Sequence, residues 1–369
     1  MRVAITGAEG FLGWHLRVRL QALLPELDVV ALCRAELSDP QLLRDHVADV
    51  DVVIHLAGIN RGRPEFVEQG NADLARQLVE VMDVRERVPS IIYANSVHAR
   101  SDTPYGRGKR RAGELLGEWA DEHGSAFVDI VFQNLFGEGG RPDYNSFVAT
   151  FCHRLATGGT PEIDVDRPVE LIHAQDAAEL IVRRLAEPMK TDVVHTHGHP
   201  TSVAEVLALL HELSNTYATG RLPMLDSPFR VQLFNTYRSY LYPDWFPRAL
   251  NVKSDPRGSF VEVVQSMGGA GQTSFSTTVP GVTRGNHFHL RKIERFSVLH
   301  GSATIAIRPV MGSSTRTFEV SGAEPSFVDM PTLHTHNITN TGTDELLTMF
   351  WINELYDPED ADTFSEPVT

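Results

Sequence analysis

The chain opens on a strand that runs straight into glycines. Val3-Ala4-Ile5 is a short apolar run, and Thr6-Gly7-Ala8-Glu9-Gly10-Phe11-Leu12-Gly13 follows it as helical spacing begins at Phe11. Glycines in such a turn let the backbone approach an anionic ligand closely, and the N-terminus of the following helix attracts negative charge. A strand, a glycine-rich turn and a helix in that order constrain the chain to an open α/β sheet with a dinucleotide pyrophosphate at its first turn. The spacing is G-x-x-G-x-x-G. It makes Gly7, Gly10, Phe11, Leu12 and Gly13 the residues expected around the pyrophosphate.

Further short apolar runs alternate with helical patterns. Val29 to Leu32, Val52 to Leu56 and Ile91 to Ala94 read as strands, and Val203 to Leu213 reads as a helix. Continuous apolar strands between amphipathic helices indicate a parallel sheet covered on both faces. The texture changes near Tyr242-Pro243-Asp244-Trp245-Phe246-Pro247. Beyond it, Ser259 to Val264, Thr273 to Thr278, Phe296 to Leu299, Ala303 to Ile307 and Leu346 to Trp351 read as short strands with turn residues between them. Many short strands argue a sandwich or barrel. Two domains follow, 1–248 and 249–369. The acidic stretch Asp357 to Thr369 reads as solvated or loosely docked.

With 369 residues and a formal net charge of −15, the chain is long enough for two cores and unsuited to nucleic acid or an anionic membrane surface. Cys33 and Cys152 are its only cysteines, which offers no disulfide framework and suits a reducing cytoplasm. No signal peptide pattern and no apolar run of membrane-spanning length are present.

The second strand ends in Cys33-Arg34. A carboxylate there would bond the ribose 2′-hydroxyl of NAD, whereas Arg34 offers a cationic fork for a 2′-phosphate, so NADP(H) is the expected cofactor. Tyr105-Gly106-Arg107-Gly108-Lys109 places a phenol and an ammonium four residues apart, on one helix face. A lysine there would lower the phenol pKa and let Tyr105 pass a proton to a carbonyl oxygen, with Ser96 bonding the same oxygen. Gly7/Gly10/Gly13, His55-Leu56-Ala57-Gly58, Asn71, Ser96 and Tyr105/Lys109 together resemble an extended short-chain dehydrogenase/reductase of Rossmann fold. The resemblance implies that Leu56, Ala57, Gly58, Tyr105 and Lys109 line the cofactor, that Ser96, Tyr105 and Lys109 catalyse, and that Asn134 binds substrate or cofactor. Two departures stand out. Val131-Phe132-Gln133 lacks the family's frequent arginine, and the interval from Ser96 to Tyr105 is short.

At the other end, Gly281 to Gly301 fits G(x)5HxH(x)4E(x)6G, and His336 with Asn340 fits H(x)3N. In a strand His287 and His289 share a face, because the side-chain period is two. Glu294 can return on the paired strand. His287, His289, Glu294 and His336 make a nitrogen-rich set with one carboxylate, suited to Zn²⁺ or another first-row divalent ion. A metal-free barrel using histidine as a base is the other reading. His334 is an alternate ligand or a proton carrier. The segment resembles a cupin, a jelly-roll barrel, with Leu333 where the second motif usually has glycine. Asp255-Pro256-Arg257-Gly258-Ser259-Phe260 and Pro280 to Gly285 resemble its sugar-nucleotide 3,5-epimerase branch.

Over nearly its full length, including Pro142 to Cys152 and Asn251 to Glu262, the chain resembles the bifunctional capsular-polysaccharide enzymes of the CapF/WbjC type. The resemblance implies a UDP-linked 4-keto-6-deoxy amino sugar as substrate, C3 epimerisation by the cupin, and C4 reduction by the reductase with NADPH. It also implies a 6-deoxy-L-talose amino sugar as product, on the route to UDP-N-acetyl-L-fucosamine, and a homodimer. The chemistry agrees, since a C3 proton beside a C4 ketone is acidic and His287 or His334 could remove it if free of metal. The alternatives are a one-step reductase whose cupin is structural or dimerising, and a non-catalytic sugar-nucleotide sensor.

Overall fold

A computed structural model describes residues 1–83 and 88–369. Its contacts divide into two compact units. The first holds residues 1–136, 140–147 and 167–203, and the second holds 137–139, 148–166 and 204–369.

The first unit is built on six parallel strands in the order Asp28–Leu32, Arg2–Thr6, Val52–His55, Ser90–Ser96, Phe127–Phe132 and Asp192–His195. Val3 and Ile5 bury toward one face with Leu12, Leu16, Ile92 and Ile181, whereas Ala4 buries toward the other with Val53, Tyr93, Leu116 and Trp119. Both faces are thus covered, as the uninterrupted apolar strands require. Strand order reverses between Arg2–Thr6 and Val52–His55, and such a switch point opens a crevice at the carboxyl ends of the strands. A smaller sheet of Asn134–Phe136, Pro168–His173 and His199–Ser202 belongs to the same unit.

In the second unit two five-stranded antiparallel sheets carry the chain beyond residue 247. One runs Arg248–Ala249, Ser326–Met330, Glu294–His300, Leu346–Ile352, Gln272–Thr278. The other runs Arg316–Ser321, Ser302–Pro309, His334–Asn340, Thr283–Phe288, Phe364–Ser365. Phe296, Val298 and Val328 of the first sheet bury with Ile305, Ile307, Phe318 and Ile338 of the second, so one core lies between them. That core region holds one charge cluster. Arg295 donates to both oxygens of Asp329 at 2.6 and 2.9 Å, and the Tyr217 hydroxyl donates to Asp329 at 2.5 Å. All three side chains are buried.

The strand-rich part begins at Arg248, but the compact units do not divide there. Helices Val203–Ala218 and Pro228–Ser239 fall almost wholly in the second unit. Tyr217 on the first of them bonds Asp329 of strand Ser326–Met330, and Asn235 on the second bonds Arg291 O in the turn before Glu294, which ties both helices to the strand-rich part. Of the two states expected for the closing stretch, solvated or loosely docked, the structure has a docked one. Asp362, Glu366 and Val368 are buried, and Phe364–Ser365 pairs with the strand that carries His287.

Candidate functional site

The glycine turn is shaped by contact with its neighbour strand. Gly7 has φ +68°, and a Cβ there would lie 2.8 Å from the Ala57 nitrogen. Only glycine meets both conditions. Thr6 locks the same approach, its hydroxyl accepting from the Ala57 N–H at 3.2 Å and pairing with His55 Nδ1 at 2.8 Å. Burial, with Lys109 nearby, pulls His55 down to about 3, so its ring is neutral. The helix Phe11–Leu23 starts at Gly10 with no side-chain cap and no acidic residue in its first turn, which leaves its positive end to an external anion. Phe11 is half-buried, and Leu12 packs into the core. Leu56, Ala57 and Gly58 continue from the neighbouring strand. Asn71 pins that exit, with Oδ1 accepting from Ile59 N–H at 3.0 Å and Nδ2 donating to Ile59 O at 2.6 Å.

Arg34 is exposed at the first position of the short helix Arg34–Ser38. Glu9 of the glycine turn reaches the adjacent Cys33, whose thiol is pushed up by burial and then by this carboxylate. A carboxylate against the end of strand Asp28–Leu32 was not apparent in the sequence.

Ser96 ends its strand, and its hydroxyl accepts from the His98 N–H at 3.2 Å. Burial pushes the Tyr105 phenol up, and the neighbouring Ser96 side chain pulls it partly back. Tyr105 is in the first turn of helix Pro104–Glu122, capped by Thr103. The helix start presses on the preceding loop, since a Cβ on Gly106 would lie 2.3 Å from His98 O. Lys109 departs from expectation. Its Nζ donates to Ala94 O at 2.6 Å and sits 4.3 Å from the Tyr93 ring centroid, and it is not among the groups that move the Tyr105 phenol. Burial brings Lys109 down to about 7, against a raising influence from Asp129.

Asn134 reaches this group through His98, which the sequence reading passed over. His98 Nε2 lies 3.2 Å from Asn134 Oδ1, and Asn134 Nδ2 donates to Glu170 O at 3.3 Å. Arg61 and Arg141 were also passed over. Their guanidinium carbons lie 5.3 and 5.1 Å from the Tyr144 ring centroid, and neither has a carboxylate partner among the described residues. Arg61 follows the Leu56-to-Gly58 exit, and Tyr144 follows the strand of Asn134, so two loops at carboxyl ends of strands converge there.

In the second unit, His287, His289, Glu294 and His336 offer ligand atoms that all lie within 4.8 Å of one another. Their Nε2 atoms stand 3.9, 3.2 and 3.0 Å from Glu294 Oε2 for His287, His289 and His336 in turn. The register shift between Gly285 and His287, with Asn286 at φ 59°, aims the strand so that His287 pairs opposite His336. Burial pushes Glu294 up, yet the surrounding histidines hold it well below the usual carboxylate range. His289 is raised, despite burial, by Glu294 and Asp362, and burial lowers His336 to about 4. His334 is not one of the four donors. Its Nδ1 donates to Thr332 O at 2.8 Å, and its ring packs 5.1 Å from Tyr242. Leu333 has φ 62°, the left-handed conformation for which glycine is usual at that motif position, and it is fully buried.

Comparisons with known proteins agree with this division. Residues 3–196 match the NAD dependent epimerase/dehydratase family, and residues 253–364 match the polysaccharide biosynthesis C-terminal domain. A UDP-2-acetamido-2,6-β-L-arabino-hexul-4-ose reductase of Pseudomonas aeruginosa is 33% identical, covering 99% of this chain and 98% of its own. The crystal structure of the capsular polysaccharide assembling protein CapF of Staphylococcus aureus covers 100% of both chains at 29% identity with a TM-score of 0.63. RMD of Pseudomonas aeruginosa, solved with NADPH, shares the fold over 65% of this chain and 99% of its own, at 19% identity and a TM-score of 0.56. An epimerase/dehydratase domain followed by a polysaccharide-biosynthesis C-terminal domain, matched end to end by the Pseudomonas reductase and by CapF, places the chain in the CapF-type family of sugar-nucleotide enzymes.

Proposed function

We propose that the chain converts a UDP-linked 4-keto-6-deoxy-2-acetamido sugar in two steps, C3 epimerisation in the second unit and C4 reduction in the first. The observation that carries the reading is the coexistence of the Ser96–Tyr105 proton donor with the four-donor cluster of His287, His289, Glu294 and His336. The glycine cradle at Gly7 and the uncapped helix start fit a dinucleotide. Three imidazoles and one carboxylate fit a divalent ion such as Zn²⁺ in a cupin barrel. When bound, NADPH supplies the hydride, and the ion supplies positive charge near an enolate oxygen.

The rest falls to side chains. Tyr105 passes its proton to O4 as the C4–H bond forms, and Ser96 holds the ketone oxygen in line. Lys109 sets the floor of the cofactor site from beneath, through Ala94 and Tyr93. Arg34 selects NADPH by its planar charge. Arg61 and Arg141, without carboxylate partners, suit the two phosphoryl groups of a UDP-sugar. In the cluster, removing the C3 proton gives an enolate whose reprotonation on the other face inverts C3, and isotope exchange in His287→Asn and His334→Asn identifies the base. The product is a UDP-6-deoxy-L-talose-type amino sugar, a polysaccharide precursor. Both cysteines are free, and no described helix is long and apolar enough to cross a membrane. We place the enzyme in the cytoplasm as a homodimer.

Deuterium wash-in at C3 from heavy water, without NADPH, tests the first step. NADPH consumption with the same substrate tests the second. Exchange without consumption, or consumption without exchange, each removes one half. The name of the Pseudomonas relative records reduction alone, which favours a one-step reductase with a structural cupin as the second reading. Absence of wash-in would select it.

A further inference from the structure

The stretch 357–369 closes over the strands that carry the histidine cluster. Phe364–Ser365 pairs antiparallel with Thr283–Phe288, setting Ser365 opposite His287 and Phe364 opposite Phe288. Arg308 holds the far end, donating to Glu366 Oε1 at 2.8 Å and to Val368 O at 2.9 Å. Lys292 and Arg291 hold the near end through Ala361 O at 2.6 Å and Asp360 Oδ2 at 2.8 Å.

Asp362 is the residue on which these contacts centre. Its carboxylate accepts three consecutive backbone N–H groups, from Leu290 at 3.1 Å, Arg291 at 3.0 Å and Lys292 at 2.9 Å. These are the residues that turn the chain from His289 to Glu294. Its backbone carbonyl lies 2.6 Å from His289 Nδ1. A carbonyl only accepts, so Nδ1 carries a proton and Nε2, 3.2 Å from Glu294 Oε2, is the nitrogen turned to the cluster. Both contacts come from one residue because Asp362 adopts φ 41°, an uncommon conformation for a residue with a side chain. Its side chain is only 1% exposed.

We infer that Asp362 is a positioning residue for the His287/His289/Glu294/His336 centre: its carbonyl sets the tautomer of His289, and its carboxylate fixes the turn that brings Glu294 back to it. The inference rests on reading that cluster as a divalent-metal centre. Groups that orient a ligating imidazole in this way typically change metal affinity by about 10- to 100-fold when removed.

The test compares the full chain, Asp362→Gly and a chain ending at Tyr356. Glycine tolerates the positive φ and keeps the carbonyl while losing the carboxylate. Zn²⁺ affinity is measured by competition with a fluorescent chelator. Long-range ¹⁵N–¹H spectra of the metal-free proteins, recorded at a pH high enough to leave the ring neutral, report the His289 tautomer. NADPH binding, which belongs to the first unit, serves as the folding control. We expect Asp362→Gly to weaken Zn²⁺ at least about tenfold with the Nδ1–H tautomer retained, and the shortened chain to weaken it further and lose that tautomer. Parent-like affinity and an unchanged ring in both variants would overturn the inference. A parent that takes up no Zn²⁺ would instead remove the metal reading, and the ring spectrum alone would then decide whether Asp362 sets His289.

Discussion

Replacing Lys109 by methionine separates what the lysine does for the fold from what it does for the reaction. Its buried ammonium has its pKa brought from 10.5 to about 7. The folded value lies below the unfolded one, so between them the unfolded chain holds a proton that the folded chain lacks. Stability therefore rises with pH across that window, by about 1.4 kcal/mol per pH unit at most. Below pH 7 the full penalty of roughly 5 kcal/mol is present as an upper bound. Methionine removes it but leaves Ala94 O without its donor, a loss of about 1–3 kcal/mol at any pH. The variant should thus be more stable than the parent by about 2 kcal/mol at pH 6.5 and close to level at pH 9. The two compact units need not unfold together. Urea unfolding is best followed through a 5-fluorotryptophan signal from Trp119, which is buried on the same helix as Lys109. Stability curves of parent and variant that run parallel from pH 6.5 to 9 would refute the argument. The variant should also lose ketone reduction.

Three further outcomes follow from the geometry. Tyr105→Phe should abolish reduction of a 4-keto sugar nucleotide by a factor of about 10² or more and leave deuterium wash-in at C3 intact, measured by absorbance and NMR on one sample. Arg61→Ala should raise KM for the UDP-sugar about tenfold with little change in the NADPH KM, as steady-state kinetics on each substrate would show. Asp329→Asn strips the buried Arg295 of its counter-charge and should destabilise the second unit by about 3–5 kcal/mol in denaturant titration, with NADPH binding kept.

The parallel sheet was legible because its strands are apolar without interruption, as in Val52–His55, and such runs fit only a sheet buried on both faces. The metal-type cluster was legible because a period of two sets His287 beside His289 whatever the turn beyond does. Helical spacing gave the face of Lys109 but not its depth, and depth sends Nζ to Ala94 rather than to Tyr105. Helix Pro228–Ser239 was missed because its polar residues find partners in the strand-rich part, as Asn235 does at Arg291 O, so its pattern resembles a loop. Asp362 was illegible for a related reason. Its partners are backbone N–H groups, which carry no residue identity, and an acidic stretch with such partners looks the same on paper as a solvated one. Strand Ser326–Met330 was hidden by Asp329, a charge that is tolerated inside only because Arg295 arrives from a neighbouring strand.

Leu333 has a consequence for how the barrel breathes. A leucine held at φ 62° stores conformational energy, offset by its complete burial and by its N–H donating to His289 O at 2.8 Å. A fluctuation that loosens that packing also releases the tension, which lowers the cost of local opening where His334–Asn340 begins. Amide exchange at the start of that strand should outpace exchange at its centre. Opening there would carry His336 away from Glu294, so strain at one leucine reaches the histidine cluster.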